Sequence, residues 1–394
     1  MNDSKSLHEN WIAEHIEALP KSGIRDFFEL VNSMGSEVIS LGVGEPDFVT
    51  PWSIREAAIY SIEHGHTSYT SNLGLLSLRK EICKYLKNNY KLSYQAESEC
   101  IITVGVSEAL DLALRAIINP GDEVIYHEPC YVSYNAQIKM CHGVPVIVET
   151  TEEDGFALNP ELLEQAITPK TKAILLNFPC NPTGATLNRE QREKIAGLAV
   201  KHNLIVITDE IYSELSYEKE QQSIAALPGM QERTIFLHGF SKAFAMTGFR
   251  IGYACGPQLL IDAMMKIHQY SMLCAPITSQ AAALEALKSG IKSMEMMREE
   301  YKERRNFFVK CLNESGLKCL TPGGSFYLFV NITATNLSSM EFAQQLLAKE
   351  QVAVVPGPAF GNCGEGFVRC CYATSMQEIV EAADRIKRFV KSLG

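Results

Sequence analysis

No stretch of the 394 residues stays apolar long enough to cross a bilayer, so a membrane-spanning helix is not expected. The opening segment, MNDSKSLHENWIAEHIEALP, is polar and acidic with no apolar centre, which argues against a secretory signal. The 12 cysteines include no Cys-x-x-Cys pair, and only Cys370 and Cys371 adjoin. That scatter is a poor disulfide framework, so reduced thiols and a cytoplasmic location are the expectation. Positive charge is in deficit, 36 Lys and Arg against 46 Asp and Glu, for a net charge of −10, so nucleic acid is not the expected partner. The 9 histidines show no metal-ligand spacing, and no metal is expected. No GxxxxGK[ST] loop occurs, and GVGEPD lacks the third glycine of a dinucleotide fingerprint. Repeats and low-complexity linkers are also missing.

What is present fits an ordinary globular enzyme, with 46% hydrophobic and 21% charged residues. A chain of this length exceeds what one compact core usually organises, so two domains are expected. Its centre alternates helix and strand patterns. Ser107 is a candidate cap for a helix over EALDLALRAII, and Asn119-Pro-Gly-Asp122 marks a turn before a strand from Glu123 to Tyr126. Asn159 followed by Pro160 predicts the start of a helix over ELLEQAI. Ala173 to Asn177, Leu204 to Asp209 and Thr234 to His238 read as short buried strands, with a helix from about Arg189 to Lys201. Such alternation predicts a mostly parallel α/β sheet. Past Gly290 a long charged helix, the strand SFYLFVNI, a helix over SMEFAQQLLAKE and the strands VAVVP and FVRCCYA predict a smaller α+β domain. We place the N-terminal segment, 1–40, with that smaller domain, a large domain at 41–289 and the smaller one at 290–394.

Three segments share one layout, a hydrophobic strand with a polar residue just past its end. AILLN leads to Asn181, LIVITD ends on Asp209 with Tyr212 close behind, and TIFLHG leads to Ser241 and Lys242. In open α/β sheets ligands bind beyond the carboxyl ends of strands, so these residues are expected to converge. Taken singly each has a plainer meaning: Asp209 a helix cap, Asn181 part of a turn, Lys242 a solvated cation and Arg250 a surface pair.

Taken together they are more specific. SKAFAMTGFRIGY resembles the lysine-attachment signature of class I aminotransferases, fold-type I enzymes that use pyridoxal 5'-phosphate (PLP). FPCNPTGATL and ITDEIYSEL resemble two further signatures of that family, in the same order. LGVGEPDFVTP, TSYTSNLG, TVGVSEAL, NPGDEV and FVRCCYATS extend the resemblance from Ile39 to Ala373. It implies an α/β fold whose large domain holds a mostly parallel seven-stranded sheet flanked by helices, with a smaller α+β domain beside it. It further implies a homodimer with shared active sites.

On this resemblance Lys242 carries PLP as a Schiff base and, once released, moves protons; a neutral lysine amine suits both tasks. Asp209 pairs with the pyridine nitrogen, which keeps the ring able to accept electrons. Tyr212 and Asn181 bond the ring's phenolic oxygen. The phosphate meets the backbone of Gly105, Val106 and Ser107 at a helix start, with Ser241 and Arg250, while Tyr69 reaches it from the neighbouring subunit. Tyr131 stacks on the ring, core packing being its plainer alternative. Arg369 lies within an apolar strand, where a guanidinium needs a partner. The resemblance gives it the substrate carboxylate, assisted by Gly42 and Asn181; an internal salt bridge is the alternative. Arg25 is a candidate for touching the substrate side chain from a lid-like segment, or a plain surface arginine.

The chain also departs from the pattern. Gly239 stands where the family often has a phosphate-binding serine, Phe249 replaces a more frequent tryptophan, and Ser107 occupies the place of a lysine found in some aspartate-using relatives. The expected activity is transamination through pyridoxamine phosphate by a ping-pong route, with an L-amino acid as donor and 2-oxoglutarate as acceptor. A PLP-dependent carbon–sulfur β-lyase is the alternative, and a regulatory PLP-fold module is disfavoured because no basic DNA-binding extension is present.

Overall fold

The computed structural model describes residues 11–19, 38–217 and 222–393. Its strands are β1 (Ile39–Ser40), β2 (Cys100–Thr103), β3 (Glu123–Glu128), β4 (Val144–Glu149), β5 (Thr171–Asn177), β6 (Ile205–Asp209), β7 (Thr234–Gly239), β8 (Gly252–Cys255), β9 (Lys318–Cys319), β10 (Tyr327–Asn331), β11 (Val352–Ala353), β12 (Val355–Pro356) and β13 (Phe367–Cys371). Its helices are α1 (Glu14–Glu17), α2 (Trp52–Glu63), α3 (Leu76–Tyr90), α4 (Gly105–Ile117), α5 (Ser133–Met140), α6 (Pro160–Ala166), α7 (Arg189–Lys201), α8 (Gln258–Ser271), α9 (Ile277–Ser289), α10 (Ile291–Glu314), α11 (Ser339–Glu350) and α12 (Met376–Lys391).

Strands β2 to β8 form a seven-stranded sheet in the order β2-β8-β7-β6-β5-β3-β4. All neighbours run parallel except β8, which is antiparallel to both β2 and β7. The apolar runs that predicted these strands are continuous because both faces are covered. Along β5, Ile174 and Leu176 enter one hydrophobic core while Ala173 and Leu175 enter the other. Successive side chains of a strand point to opposite faces, so one segment serves both cores. This is the α/β architecture expected from the sequence.

A second sheet, β12-β13-β10-β9, is antiparallel throughout. The pairing of Ile39 with Val352 and of Ser40 with Ala353 ties the segment before residue 41 to the C-terminal part of the chain. Tyr217 N–H donates to Gly323 O at 2.9 Å, and Ser216 bridges to Gly324, so the loop after β6 is stitched to the turn before β10.

Side-chain caps start four of the helices among the described residues, α6, α7, α11 and α12. Asn159 accepts from the N–H groups of Glu161 and Leu162, with Pro160 in the first turn. Asn188 with Gln191, and Ser338 with Glu341, form reciprocal capping boxes. One expectation needs correction: Ser107 does not cap its helix. Helix α4 begins earlier, at Gly105, after Val104, which has no side-chain cap bond. Gly105 has φ +74°, a conformation open to glycine without strain, and this lets the chain turn into the helix before Ser107 is reached.

Candidate active site

The carboxyl ends of β5, β6 and β7 and the start of α4 border a cavity of about 620 Å³. Its lining includes Gly42, Val106, Ser107, Tyr131, Asn181, Asp209, Tyr212, Ser241, Lys242, Arg250 and Arg369. Nearly every site residue predicted from the sequence is therefore brought to one place. A second cleft of about 640 Å³, beside Phe156, Thr186 and Pro322, holds none of them. Gly105 lies immediately behind the first cavity: a Cβ on it would stand 2.8 Å from Arg250 Nη2. Tyr69 is 83% exposed and outside the cavity lining. Arg25 lies outside the described residues.

Lys242 follows β7 and its Nζ donates to the Gly44 carbonyl at 2.7 Å. Burial pulls its amine down to about 8, against the opposing pull of Cys371 and Glu45; the cations Arg369 and Arg250 act in the same direction as burial. Asp209 ends β6 and is buried. Burial pushes its carboxyl up to about 6, although Tyr134 and the Ile211 N–H favour the charged form. Tyr134 Oη donates to Asp209 Oδ2 at 2.8 Å, and Ile211 N–H reaches Oδ1 at 3.2 Å. In both groups burial disfavours the charged form, as is common for ionisable side chains gathered in a functional cleft.

Arg369, on β13, is 4% exposed. Its Nη1 donates to Asn181 Oδ1 at 2.9 Å and its Nη2 to the Gly42 carbonyl at 2.6 Å. The guanidinium lies over the rings of Tyr327 and Phe360, at 4.4 and 4.7 Å. Its Nε is buried without a hydrogen-bond partner, and no carboxylate among the described residues forms an ion pair with it. The internal salt bridge weighed for it from the sequence is not formed there. Asn181 is itself positioned by Asn177, whose Oδ1 accepts the Asn181 N–H at 3.1 Å.

Tyr212 and Tyr327 meet hydroxyl to hydroxyl at 2.9 Å, both buried. Tyr131 packs edge-on to Tyr134 at 5.6 Å. Tyr134, Tyr327, Asn177 and Gly44 were not singled out in the sequence. Nothing local marks Tyr134, Tyr327 and Gly44, because each acts on a partner far along the chain, whereas Asn177 acts on Asn181 only four residues on and reads locally as the end of an apolar strand. Gly239 also has its explanation. A Cβ there would stand 3.1 Å from both Gly252 Cα and Val106 Cγ2, and a Cβ on Gly252 would stand 2.7 Å from Val106 N. Strands β7 and β8 thus press directly on the first turn of α4, and a side chain at Gly239 requires these neighbours to yield by a few tenths of an ångström.

Residues 36–386 match the family profile of class I and II aminotransferases. YugH of Bacillus subtilis (strain 168), whose own aminotransferase designation is provisional, is 55% identical over 381 residues, covering 97% of this chain and 98% of that one. An aspartate aminotransferase of Pyrococcus abyssi is 42% identical over 383 residues, covering 96% and 98%. Among solved structures, the aspartate aminotransferase of Thermus thermophilus with maleate superposes with a TM-score of 0.91 at 38% identity, covering 96% of this chain and 99% of that one. The chain belongs to the class I and II aminotransferases, and it is a PLP-dependent enzyme of that family.

Proposed function

We propose that this enzyme moves the amino group of an L-amino acid to 2-oxoglutarate in two half-reactions, the first 2-oxo acid leaving before the second arrives. The observation that carries the proposal is Arg369. A buried guanidinium with an unpartnered Nε, beside a lysine of lowered basicity, is a site built for an anion that also bears an amine. A substrate α-carboxylate supplies the two acceptors that its fork requires.

The cavity fits PLP in three respects. Lys242 offers the amine for covalent attachment. Asp209 offers a buried carboxylate for the pyridine nitrogen. The Arg250 guanidinium packs against the bare backbone of Gly105 and so stands at the start of α4, where it, the N–H groups of Val106 and Ser107 and the Ser241 hydroxyl border the cavity as donors for a phosphate. When bound, the cofactor supplies an electron-accepting ring that makes the substrate Cα–H acidic. The protein's own part is positional. Tyr212 and the Asn181 Nδ2 group present donors toward the phenolic oxygen, and Tyr131 covers the ring. Arg369, held by Asn181 and Gly42, fixes the substrate so that its Cα–H faces Lys242, whose amine moves the proton there.

The test is a half-reaction. The enzyme mixed with an amino acid alone should release one equivalent of 2-oxo acid per site and stop; 2-oxoglutarate should then restart it and yield glutamate. Continuous release of pyruvate from a sulfur amino acid without an acceptor would instead mark a β-lyase and overturn the proposal.

We also propose a homodimer in which Tyr69 enters the partner's site. In support, Asn72 Nδ2 donates to Leu273 O at 2.7 Å, which sets the Tyr69 loop beside the end of α8. There Tyr270 is 87% and Met272 53% exposed, an apolar surface suited to burial between subunits. The division into a cofactor domain at 41–289 and a smaller domain at 290–394 joined by the 1–40 segment is proposed on the same footing, supported by the pairing of β1 with β11. A cytoplasmic location is proposed from the reduced cysteines; no helix among the described residues is long and apolar enough to cross a membrane.

A further inference from the structure

We infer that Glu108 and His268 form a buried latch that sets the first turn of α4 as a phosphate cradle, making both of them positioning residues for the cofactor. The inference rests on the reading above that the phosphate lies at that turn.

Helix α4 starts without a side-chain cap on Val104. Its place is taken by Glu108, one turn into the helix, whose Oε2 accepts the Val104 N–H at 2.5 Å. The other carboxylate oxygen, Oε1, lies 2.7 Å from His268 Nδ1 on α8, and both side chains are almost wholly buried. One carboxylate therefore clamps the backbone before the helix to a second helix. Thr103 adds a tie from β2, its hydroxyl donating to Gly105 O at 2.9 Å. The opposite side of the same turn faces the Arg250 guanidinium, as the distance from a Gly105 Cβ shows.

Two features make this more than packing. Both oxygens of the Glu108 carboxylate are engaged, one by the Val104 N–H and one by His268, so its position is fixed from two elements at once. The histidine is also chemically specified. His268 Nε2 is buried with no hydrogen-bond partner among the described residues, so a neutral ring carries its proton on Nδ1, where Glu108 accepts it. An amide in place of Glu108 presents either an N–H to Nδ1 or an N–H to Val104. The first forces the ring proton onto Nε2, where nothing accepts it, and the second leaves the Val104 N–H unpaired. Each costs about as much as one buried hydrogen bond, on the order of a tenfold change in an equilibrium.

The experiment compares PLP with pyridoxal, which lacks the phosphate. The full chain stripped of cofactor is titrated with each, and the ratio of the dissociation constants isolates the phosphate's contribution. Glu108→Gln and His268→Phe should each lower the advantage of PLP by about tenfold while leaving pyridoxal affinity within about twofold. His268→Asn, whose amide N–H falls near Nδ1, should retain most of the advantage. Arg250→Met tests the underlying reading. If it leaves the PLP advantage intact, the phosphate does not lie there, and both the reading and the inference fall. If Arg250→Met lowers the advantage but Glu108→Gln and His268→Phe do not, or if they weaken PLP and pyridoxal equally, the latch alone is overturned. Glu108→Gln preserves shape, so the test stands even where His268→Phe does not fold.

Discussion

Replacing Asp209 with asparagine should stabilise the cofactor-free protein while disabling the enzyme. Burial lifts this carboxyl from 3.8 to about 6, so the folded chain binds its proton more tightly than the unfolded chain does. The sign follows by linkage. A raised acid contributes fully to stability below its unfolded pKa, and the contribution is lost as pH climbs through the folded value. At about 1.4 kcal/mol per pKa unit, holding Asp209 ionised above pH 6 costs the empty protein about 3 kcal/mol. Asparagine has nearly the same shape and bears no charge; its Oδ1 accepts the Ile211 N–H while its Nδ2 donates to the Tyr134 hydroxyl oxygen, which can accept as well as donate. The variant should therefore match the parent near pH 4, gain through the interval from 3.8 to about 6, and keep a constant advantage above it. Unfolding of both cofactor-free proteins in denaturant between pH 4 and 8 measures this directly. An advantage that does not change with pH, or a variant less stable than the parent at pH 8, would refute the reasoning. Loading PLP should reverse the order, because the protonated pyridine nitrogen gives Asp209 the counter-charge that the empty pocket denies it.

Other substitutions bear on other parts of the site. Lys242→Ala should leave no cofactor on the chain after borohydride reduction and denaturation; retained label would remove Lys242 from its role. Arg369→Lys, which keeps the charge but loses the fork, should lower kcat/KM by about 100-fold with the spectrum of the bound cofactor unchanged, as steady-state and absorbance measurements will tell. Tyr327→Phe keeps the ring over Arg369 but removes the hydroxyl that meets Tyr212 at 2.9 Å. Once Tyr212 turns its proton to the phenolic oxygen, Tyr327 can only donate to it; without that donation Tyr212 is a weaker donor, and the visible absorbance transition of the bound cofactor should move to higher pH. Gly105→Ala adds a methyl group 2.8 Å from Arg250 Nη2 at φ +74°, and should lower the melting temperature by an amount equivalent to about 1–2 kcal/mol while weakening PLP binding.

The sequence was most informative where chemistry and local pattern coincide. Strands β5, β6 and β7 were legible as short apolar runs, and Asn181, Asp209 and Lys242 as polar residues just past them. Their shared position at one end of a parallel sheet follows from the topology rule, so the cavity could be anticipated. Tyr134 and Tyr327 could not. Their partners are 75 and 115 residues away in sequence, and a tyrosine in an apolar segment reads as core until the fold brings a carboxylate or a second hydroxyl to it. The mistaken cap at Ser107 has a similar origin. A serine before an apolar run is a fair local signal, but the helix was already started by Gly105 and secured by Glu108 reaching back to Val104. Local preference was overruled by a contact visible only in three dimensions.

The contact among Gly105, Gly239 and Gly252 has a consequence for how such an enzyme changes over generations. A side chain added to Gly239 meets Gly252 and Val106, one added to Gly252 meets the backbone at Gly105 and Val106, and one added to Gly105 meets Arg250. The three positions are not equally closed. The contacts of Gly239 are 3.1–3.2 Å and need its neighbours to yield by a few tenths of an ångström, whereas those of Gly252 are 2.7 Å to backbone atoms that cannot swing aside. Change at any one of them is thus constrained by what the other two already occupy, and a directed search for a serine at Gly239 is best begun from variants with a smaller side chain at Val106, whose Cγ2 it would meet.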